Sequence, residues 1–516
     1  MVQRLNVSGL PASLSKSLDL KIIVKDIAAS FVVFLVAIPL CLGIALASGV
    51  PAELGLMTGI IGGIAVGAFA GQPLQVSGPA AGLAVIVFDI VGDHGAAALG
   101  PILLLAGALQ LLGGYFHLGR FFRGVSPAVV SGMLAGIGVL IVAGQVHVLL
   151  ADAPRAHGLD NLAAIPAAFF DLSVMTIGQA EQALAVGLAA ILAMLAWDRY
   201  KPSRLRLMPG ALMGVVAGVL VAAPGLDVAR ITVPENIFSS FSLPSMASLS
   251  LLGSPDIVFS AVAVAFIASA ETLLSAVAVD RLQDRVRTKF NKELGAQGVG
   301  NFLCGLVGAM PMTGVIVRSS ANVHAGAVTR LSAILHGVWI LAFVVFLPGA
   351  LALVPTAALA GVLVVVGWKL VKVADAVRLF RRYGALPAAI YVATLTTVVA
   401  VDLLVGVLVG LALSLVEVIP HLKKHRARMV ETASDDSHDV SLDGRVTMLE
   451  VSRLVAALDR LPANKAVRIR AENLDFVDHT SAELICDALV RRRRAGTAAD
   501  IIAGNSRAGQ LLLAGI

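Results

Sequence analysis

Charged residues are scarce in this sequence: they make up 14% of its 516 residues, whereas hydrophobic residues make up 58%. Soluble domains are about 25% charged and about 45–50% apolar, so this composition excludes an ordinary soluble protein. Aromatic residues are also few, at 5%, while the 50 glycines favour closely packed membrane helices. Together with a mean hydropathy of +0.90, the composition predicts a polytopic membrane protein.

Cysteine is nearly absent as well. Cys41, Cys304 and Cys486 form no CxxC motif and no cluster with histidine, which excludes a disulfide framework and a structural zinc site. The sequence contains no Gly-Lys dipeptide and therefore no Walker A loop. We expect a transporter driven by an ion gradient or by its substrate's own gradient, with no enzyme activity and no tightly bound cofactor.

Fourteen apolar stretches are candidate segments for a hydrocarbon core of about 30 Å. They cover residues 27–47, 54–70, 77–91, 96–115, 125–147, 181–198, 208–223, 255–278, 293–309, 313–325, 330–347, 351–369, 387–400 and 402–421. Two of them, 77–91 and 313–325, are too short to cross the membrane as plain helices. Each is the third segment of seven, so the pattern predicts two inverted repeats of seven with a half-helix in each.

The distribution of lysine and arginine predicts the orientation. These residues cluster in the connections after segments 4, 6, 8, 12 and 14, whereas the long connections 148–180 and 224–254 carry one arginine each. Because basic loops stay in the cytoplasm, both ends of the chain are predicted to be cytoplasmic, with residues 1–26 as an N-terminal segment and 27–428 as the transport domain. The same loops account for the net charge of +6, so we expect no nucleic-acid partner and a multi-pass protein of the inner (plasma) membrane.

The two short segments indicate an anion site. Ser77-Gly78-Pro79 lies at the start of the first one, and Met310-Pro311 precedes the second. Each helix would begin near the midplane, where its free N–H groups and the positive end of its dipole favour a negative ligand. The alternative is a pair of proline-kinked helices without a ligand.

Two ionisable residues fall inside predicted segments: Glu271 in segment 8 and Arg318 in segment 10. A charge within the membrane usually marks a functional site. Ser275 lies one helical turn after Glu271, and a carboxylate with a hydroxyl can bind sodium. A carboxyl in a site of low dielectric constant can instead carry a proton. The alternative is a structural pair between Glu271 and Arg318.

The sequence changes character after the last segment. Residues 429–442 are polar and are predicted to be a linker, and 443–516 are predicted to be a small cytoplasmic α/β domain. In this domain the alternation over 466–470 predicts a strand, as do residues 500–503. Asp478 to Ser481 opens a predicted helix that extends to Arg494.

Several of these stretches resemble the sulfate permease (SulP) family, also called solute carrier family 26. The resemblance is carried by residues 291–337, which include Met310-Pro-Met-Thr-Gly and the run that begins at Arg318, and by 36–39 with 77–79. Residues 474–478, followed by a helix that begins with threonine and serine, are similar to the family's STAS domain.

Membership implies seven-plus-seven inverted repeats, a core and a gate domain, an elevator-type alternating-access mechanism, a homodimer in lipid and a cytoplasmic STAS domain. It also implies that the substrate is a small inorganic or carboxylate anion bound between helices 3 and 10. The residues that match the family's substrate site are Pro39, Cys41, Ala80, Ala81, Gly82, Glu271, Thr313, Gly314, Val315 and Arg318, with Glu271 and Ser275 as sodium ligands if sodium is the coupling ion.

The resemblance is closest to the bicarbonate branch. Residues 292–300 and 402–406 are similar to sodium-dependent bicarbonate transporters, and 477–480 are similar to members with a functional link to carbonic anhydrase. We therefore expect bicarbonate uptake coupled to sodium or protons. The alternatives are a proton-coupled sulfate or dicarboxylate (fumarate or succinate) symporter, an anion channel and a nucleobase transporter.

Two positions depart from the family pattern. Leu40 follows the proline of helix 1, where many members have glutamine, so one polar substrate contact is missing. The STAS motif is usually Asp-Ser-Ser-Gly, but here it is Asp478-His479-Thr480-Ser481. That change argues against a phosphorylation switch and predicts an atypical STAS-like domain.

Overall fold

The computed structural model describes most of the chain. The described residues are 12–119, 126–155, 157–170, 178–205, 208–223, 225–232, 240–283, 286–422, 428–433, 437–448, 451, 454–455, 457–458, 461, 465–494 and 496–514. Residues 1–11 of the predicted N-terminal segment lie outside them, as do the arginines at 120 and 123 that support the predicted orientation.

Up to residue 422, the described part of the chain is almost entirely helical. Its α-helices are α1 Ala12–Ala47, α2 Ala52–Ile61, α3 Gly67–Phe69, α4 Ala81–His94, α5 Leu99–Tyr115, α6 Pro127–Leu149, α7 Gly158–Phe170, α8 Gln179–Tyr200, α9 Gly210–Ala222, α10 Met246–Ser250, α11 Pro255–Leu282, α12 Phe290–Val307, α13 Ile316–His324, α14 Leu331–Phe346, α15 Pro348–Ala352, α16 Thr356–Leu370, α17 Val373–Tyr383, α18 Ala385–Ala400 and α19 Leu403–Leu422. A π-helical turn, Gly62–Val66, joins α2 to α3, and short 3-10 turns cover Ala96–Ala98, Ser203–Leu205 and Leu251–Gly253.

A helix coincides with each of the fourteen predicted segments, so the predicted all-α membrane domain is confirmed. Within the described residues, seven helical spans are long and apolar enough to cross a membrane unaided. Helix α1 begins at Ala12, well before the predicted span at 27, because no glycine or proline interrupts residues 12–38. Helices α7 and α17 lie between the predicted segments.

The half-helices begin inside the protein, as predicted. Strand β1, Ser77–Gly78, pairs antiparallel with β2, Thr313–Gly314, and α4 and α13 begin shortly after these strands. The two repeats therefore meet at this strand pair, which is called the crossing below. The N-termini of α4 and α13 both lie beside it.

Packing separates the membrane helices into two groups. The core contains α1, α2, α4, α5 and α11 to α14, and the gate contains α6 to α9 and α16 to α19. Glycine permits close packing between α5 and α12 in the core, where a methyl group on Gly107 would overlap the Phe302 amide nitrogen. The anion site predicted from the sequence belongs to the core.

The remaining residues form a small α/β unit, called the tail domain below. Its elements are β3 Arg428–Ala433, β4 Ser437–Val446, β5 Ala466–Arg470, β6 Leu474–Val477, α20 His479–Arg494, β7 Ala499–Ile502 and α21 Arg507–Leu513. Strand β4 pairs antiparallel with β3 and parallel with β5 and β6, while β5 pairs parallel with β7. The predicted STAS-like α/β fold is confirmed.

The predicted linker 429–442 is wrong, because β3 and most of β4 occupy it. Polar residues dominate this stretch, but Val440 and Leu442 are both 1% exposed and pack in the tail core. These two residues point to the same face of β4, and the polar Ser441 between them points to the opposite face. The sheet of the tail domain therefore begins before residue 443.

Candidate functional site

Buried polar side chains on α12 fix the loops that lead to the crossing strands. The Glu293 carboxylate Oε2 accepts hydrogen bonds from the amides of Gly71 and Gln72, at 2.7 and 2.8 Å. Two turns later, Asn301 holds Met312: its Oδ1 accepts from the Met312 amide at 2.8 Å, and its Nδ2 donates to the Met312 carbonyl at 3.2 Å. Helix α12 therefore fixes the loops that lead into β1 and into β2.

Sequence reasoning missed these anchors. Glu293, Gln297 and Asn301 recur every four residues, which places them on one face of an otherwise apolar helix. All three are 0% exposed. A polar stripe with helical spacing inside a predicted membrane segment was the available signal.

We expect Asn301→Ala to destabilise the protein strongly. The substitution leaves the N–H and C=O of Met312 without their partner, and each unsatisfied buried group costs about 1–3 kcal/mol. Thermal unfolding of the purified protein in detergent should therefore show a clearly lower midpoint than the unmodified chain. An unchanged midpoint would mean that the strand approach is held by other contacts.

The two half-helices present free backbone donors. Among the described residues, the amides of Ala81 and Gly82 at the start of α4 have no hydrogen-bond partner, and neither do those of Ile316 and Val317 at the start of α13. First-turn amides of a helix lack partners in the same helix. The crossing therefore carries two sets of donors with the positive ends of two helix dipoles.

The family resemblance implies that Gly314 and Val315 supply backbone donors to the substrate, but both amides are already used within the protein. The Gly314 amide donates to the Thr272 hydroxyl at 3.0 Å, and the Val315 amide donates to the Val76 carbonyl at 2.9 Å. The expectation that these two amides are free is therefore wrong, because strand pairing and the α11 hydroxyl consume them. The free donors on this side lie one to three residues later, at the start of α13.

Glu271 lies against the start of α4. A methyl group added to Gly82 would come within 2.8 Å of the Glu271 Oε2 atom, and this oxygen is buried without a hydrogen-bond partner. The Thr313 side chain lies beside the same carboxylate. The structure thus places Glu271, Gly82 and Thr313 close together, the arrangement that the family resemblance implies.

Arg318 occupies the other side of the crossing. Its side chain is 0% exposed, and its Nε and Nη1 atoms have no partner. The guanidinium lies against Gly78, where an added methyl group would overlap Nη1, and the Cys41 thiol is beside it. No ion pair joins Arg318 to Glu271, although both residues are described, so the alternative of a structural pair is wrong.

A cavity of about 830 Å³ lies between the core and the gate. It extends from Lys201 and Lys372 to Ile316 and Val317 in the first turn of α13. On α1 its lining includes Leu40 but neither Pro39 nor Cys41, which are buried. Leu40 is itself only 3% exposed, and Cys41 lies beside the Arg318 guanidinium. The placement of Pro39 and Cys41 at the anion site therefore stays a prediction.

The predicted cation ligands remain neighbours on one helix. Ser275 is 7% exposed and lies one turn after Glu271 on α11. Ala80 is also buried, at 2% exposed, whereas Ala81 is only partly buried. Within the described residues, no group of three or more His, Cys, Asp or Glu side chains could hold a metal ion.

Known proteins are similar to this chain in sequence and in fold. The Sulfate permease family matches residues 23–394. YvdB of Bacillus subtilis, which is named as a sulfate transporter, is 31% identical over 417 residues, 78% of this chain and 74% of YvdB. The bicarbonate transporter BicA of Picosynechococcus sp. is 27% identical over 459 residues, 83% of this chain and 77% of BicA.

The fold also matches that of a solved anion transporter. Murine solute carrier 26 family member A9, in its inward-facing state, superposes with a TM-score of 0.66. The sequence identity is 14%, and the match covers 95% of this chain and 87% of that chain. This likeness concerns the fold alone, and its coverage extends into the tail domain.

Proposed function

This chain belongs to the sulfate permease family, and from that membership and the geometry of the crossing we propose that it takes up bicarbonate together with a cation. The chain is a multi-pass membrane anion transporter and not an enzyme. The proposal concerns the substrate, the coupling ion and the mechanism.

The position of Glu271 carries the argument for coupling. An anion that binds the free amides of Ala81 and Gly82 lies close to the Glu271 carboxylate. Two negative charges 4 Å apart repel by about 4 kcal/mol at an effective dielectric constant near 20. A sodium ion bound by Glu271 and Ser275, or a proton on Glu271, removes this repulsion, so anion and cation bind together.

Arg318 supports an anion on the other side of the crossing. A buried guanidinium with two partnerless nitrogens is unfavourable unless a negative group accompanies it. An anion between the starts of α4 and α13 would supply that charge. Arg318 would then hold the substrate, and Glu271 would hold the coupling cation.

The similarity to BicA supports bicarbonate as the substrate. The similarity to YvdB supports the second candidate, a proton-coupled sulfate or dicarboxylate symporter. Both candidates bind their anion at the same site. They differ in the size and charge of the anion, which must fit against the small residues at the start of α4.

We further propose an elevator-type mechanism in a homodimer, with both chain ends in the cytoplasm. The cavity opens beside Lys201 and Lys372, which lie in connections predicted to be cytoplasmic. In this assignment the cavity is the inward path of the substrate, and the core carries the anion past the gate.

Uptake into proteoliposomes tests the substrate and the coupling ion. Labelled bicarbonate, sulfate and fumarate are each offered at alkaline pH with an inward sodium gradient, an inward proton gradient or no gradient. We expect bicarbonate to accumulate above its external concentration only with one of the gradients. Accumulation of sulfate or fumarate instead would establish the second candidate, and uptake that never exceeds equilibrium would indicate a channel.

A further inference from the structure

The first residue of helix α20, His479, lies buried at the contact between the tail domain and the gate. It belongs to the motif Asp478-His479-Thr480-Ser481, for which transport itself gives no role. Its side chain is 1% exposed. A buried imidazole at a domain boundary needs hydrogen-bond partners, because an unsatisfied polar group there would be unfavourable.

Both ring nitrogens of His479 find their partners on the gate. The Nδ1 atom is 2.9 Å from Glu417 Oε2, near the end of α19. The Nε2 atom is 2.7 Å from the hydroxyl of Ser126, which directly precedes α6. One side chain of the tail domain thus bridges the ends of two gate helices.

The position of His479 is fixed from within the tail domain. Asp478 caps α20, since its Oδ1 accepts a hydrogen bond from the Ser481 amide at 2.7 Å, and its own amide donates to the Val446 carbonyl at 3.3 Å. The ring is therefore presented by a capped helix start that is tied to β4. Because its helix start is held in place, His479 can make a specific contact with the gate.

Helix α17 of the gate also contacts α20 near His479. The Tyr383 ring, at the end of α17, lies 6.0 Å from the His479 ring, measured between centroids. Its neighbour Arg382 donates to the thiol of Cys486 at 3.8 Å. Each of these contacts joins α20 to the gate, whereas the free amides and Glu271 belong to the core.

We propose that His479, held by Glu417 and Ser126, docks the tail domain on the gate, so that gate and tail form one mechanical unit. We call these three residues the docking cluster. In this chain the position that is usually serine in the STAS motif serves as a docking contact. The inference is independent of the substrate and of the coupling ion.

The reactivity of Cys486 provides a direct readout. Its side chain is 4% exposed, and burial raises the pKa of its thiol to about 11, against the smaller opposing effect of nearby Arg382. Little thiolate is present at neutral pH, so labelling by a maleimide should be slow while the tail is docked. Within the tail, the Cys486 Sγ donates to the Leu512 carbonyl at 3.4 Å, and from the gate Arg382 contacts the same thiol. Release of the docking contact removes the gate's part of this cover, so the thiol becomes more accessible to reagent.

The experiment compares full-length His479→Ala and Glu417→Ala with the unmodified protein in detergent or lipid nanodiscs. Mass spectrometry locates the maleimide label and measures hydrogen exchange in the peptides of α17 and α20. We expect each variant to raise Cys486 labelling about tenfold or more and to speed exchange at the start of α20. Their double variant should show no further increase, because both substitutions break one contact.

Matched controls remove neighbouring exposed side chains. Asp475→Asn in the tail and Leu415→Ala on α19 should label and exchange like the unmodified protein. If His479→Ala also speeds exchange throughout β5, that substitution has unfolded the tail. Glu417→Ala, whose site lies outside the tail, then decides whether the docking contact exists. Labelling and exchange that stay at the unmodified level in Glu417→Ala would overturn the proposal.

Discussion

Glu271→Gln should abolish gradient-driven accumulation of the anion. The substitution keeps the size and polarity of the side chain but removes the charge that binds sodium or carries the proton. In proteoliposomes the internal substrate concentration should then rise only to the external one, under either gradient. Anion binding itself should persist without a coupling cation, because the repulsive carboxylate beside Gly82 is gone.

The matched control is Asp256→Asn, which removes an exposed carboxylate near the start of the same helix, α11. It should accumulate substrate like the unmodified chain. Accumulation by a monodisperse Glu271→Gln protein at the unmodified level would show that Glu271 has only a structural role. The cation would then have to bind elsewhere.

Ala81→Leu should weaken anion binding by about a hundredfold or more. Leucine would cover the partnerless amides at residues 81 and 82, and each charge-assisted hydrogen bond lost is worth about 1.5–3 kcal/mol. Since about 1.4 kcal/mol corresponds to tenfold in affinity, loss of two bonds gives this magnitude. The measurement is the dissociation constant or the half-saturation concentration for uptake, in protein that remains monodisperse.

Ala81→Gly serves as the control, because it leaves the amides open and should bind nearly normally. Thr313→Ala should have a smaller effect than Ala81→Leu, since no backbone donor is covered. Gly314→Val is unsuitable as a test, because its side chain would meet the Gln75 amide nitrogen and disturb the strand pair. Near-normal affinity in Ala81→Leu would place the anion away from the start of α4.

Local patterns in the sequence were sufficient for most of the tail domain, but not for its beginning. The strand predicted at 466–470 and the helix that ends at Arg494 coincide with β5 and α20. Strand β4 was missed because Val440 and Leu442 alternate with polar residues in a stretch that is polar on average. A composition average mixes the two faces of a strand, because successive side chains point to opposite sides. Only the structure shows that one face is buried and the other is not.

The candidate site was predictable in its residues but less so in its geometry. Glu271 and Arg318 stand out because charges are rare in membrane segments, and the structure places both beside the crossing. Whether they pair with each other depends on which side of the crossing each one reaches. Gly82 admits the carboxylate and Gly78 admits the guanidinium, and these two contacts join residues about 190 and 240 positions apart in the chain.

By itself, the sequence determined the membrane class, the fourteen segments and the two half-helices, because hydrophobic length, helical period and interrupting glycine and proline are local properties. Only the tertiary structure decided which amides stay free at residues 81, 82, 316 and 317, and which are consumed by Thr272 and Val76. It also decided that Leu40 rather than Cys41 faces the cavity, and that His479 meets Glu417. Hydrogen-bond partners and exposed faces depend on segments far apart in sequence, and no local pattern encodes them.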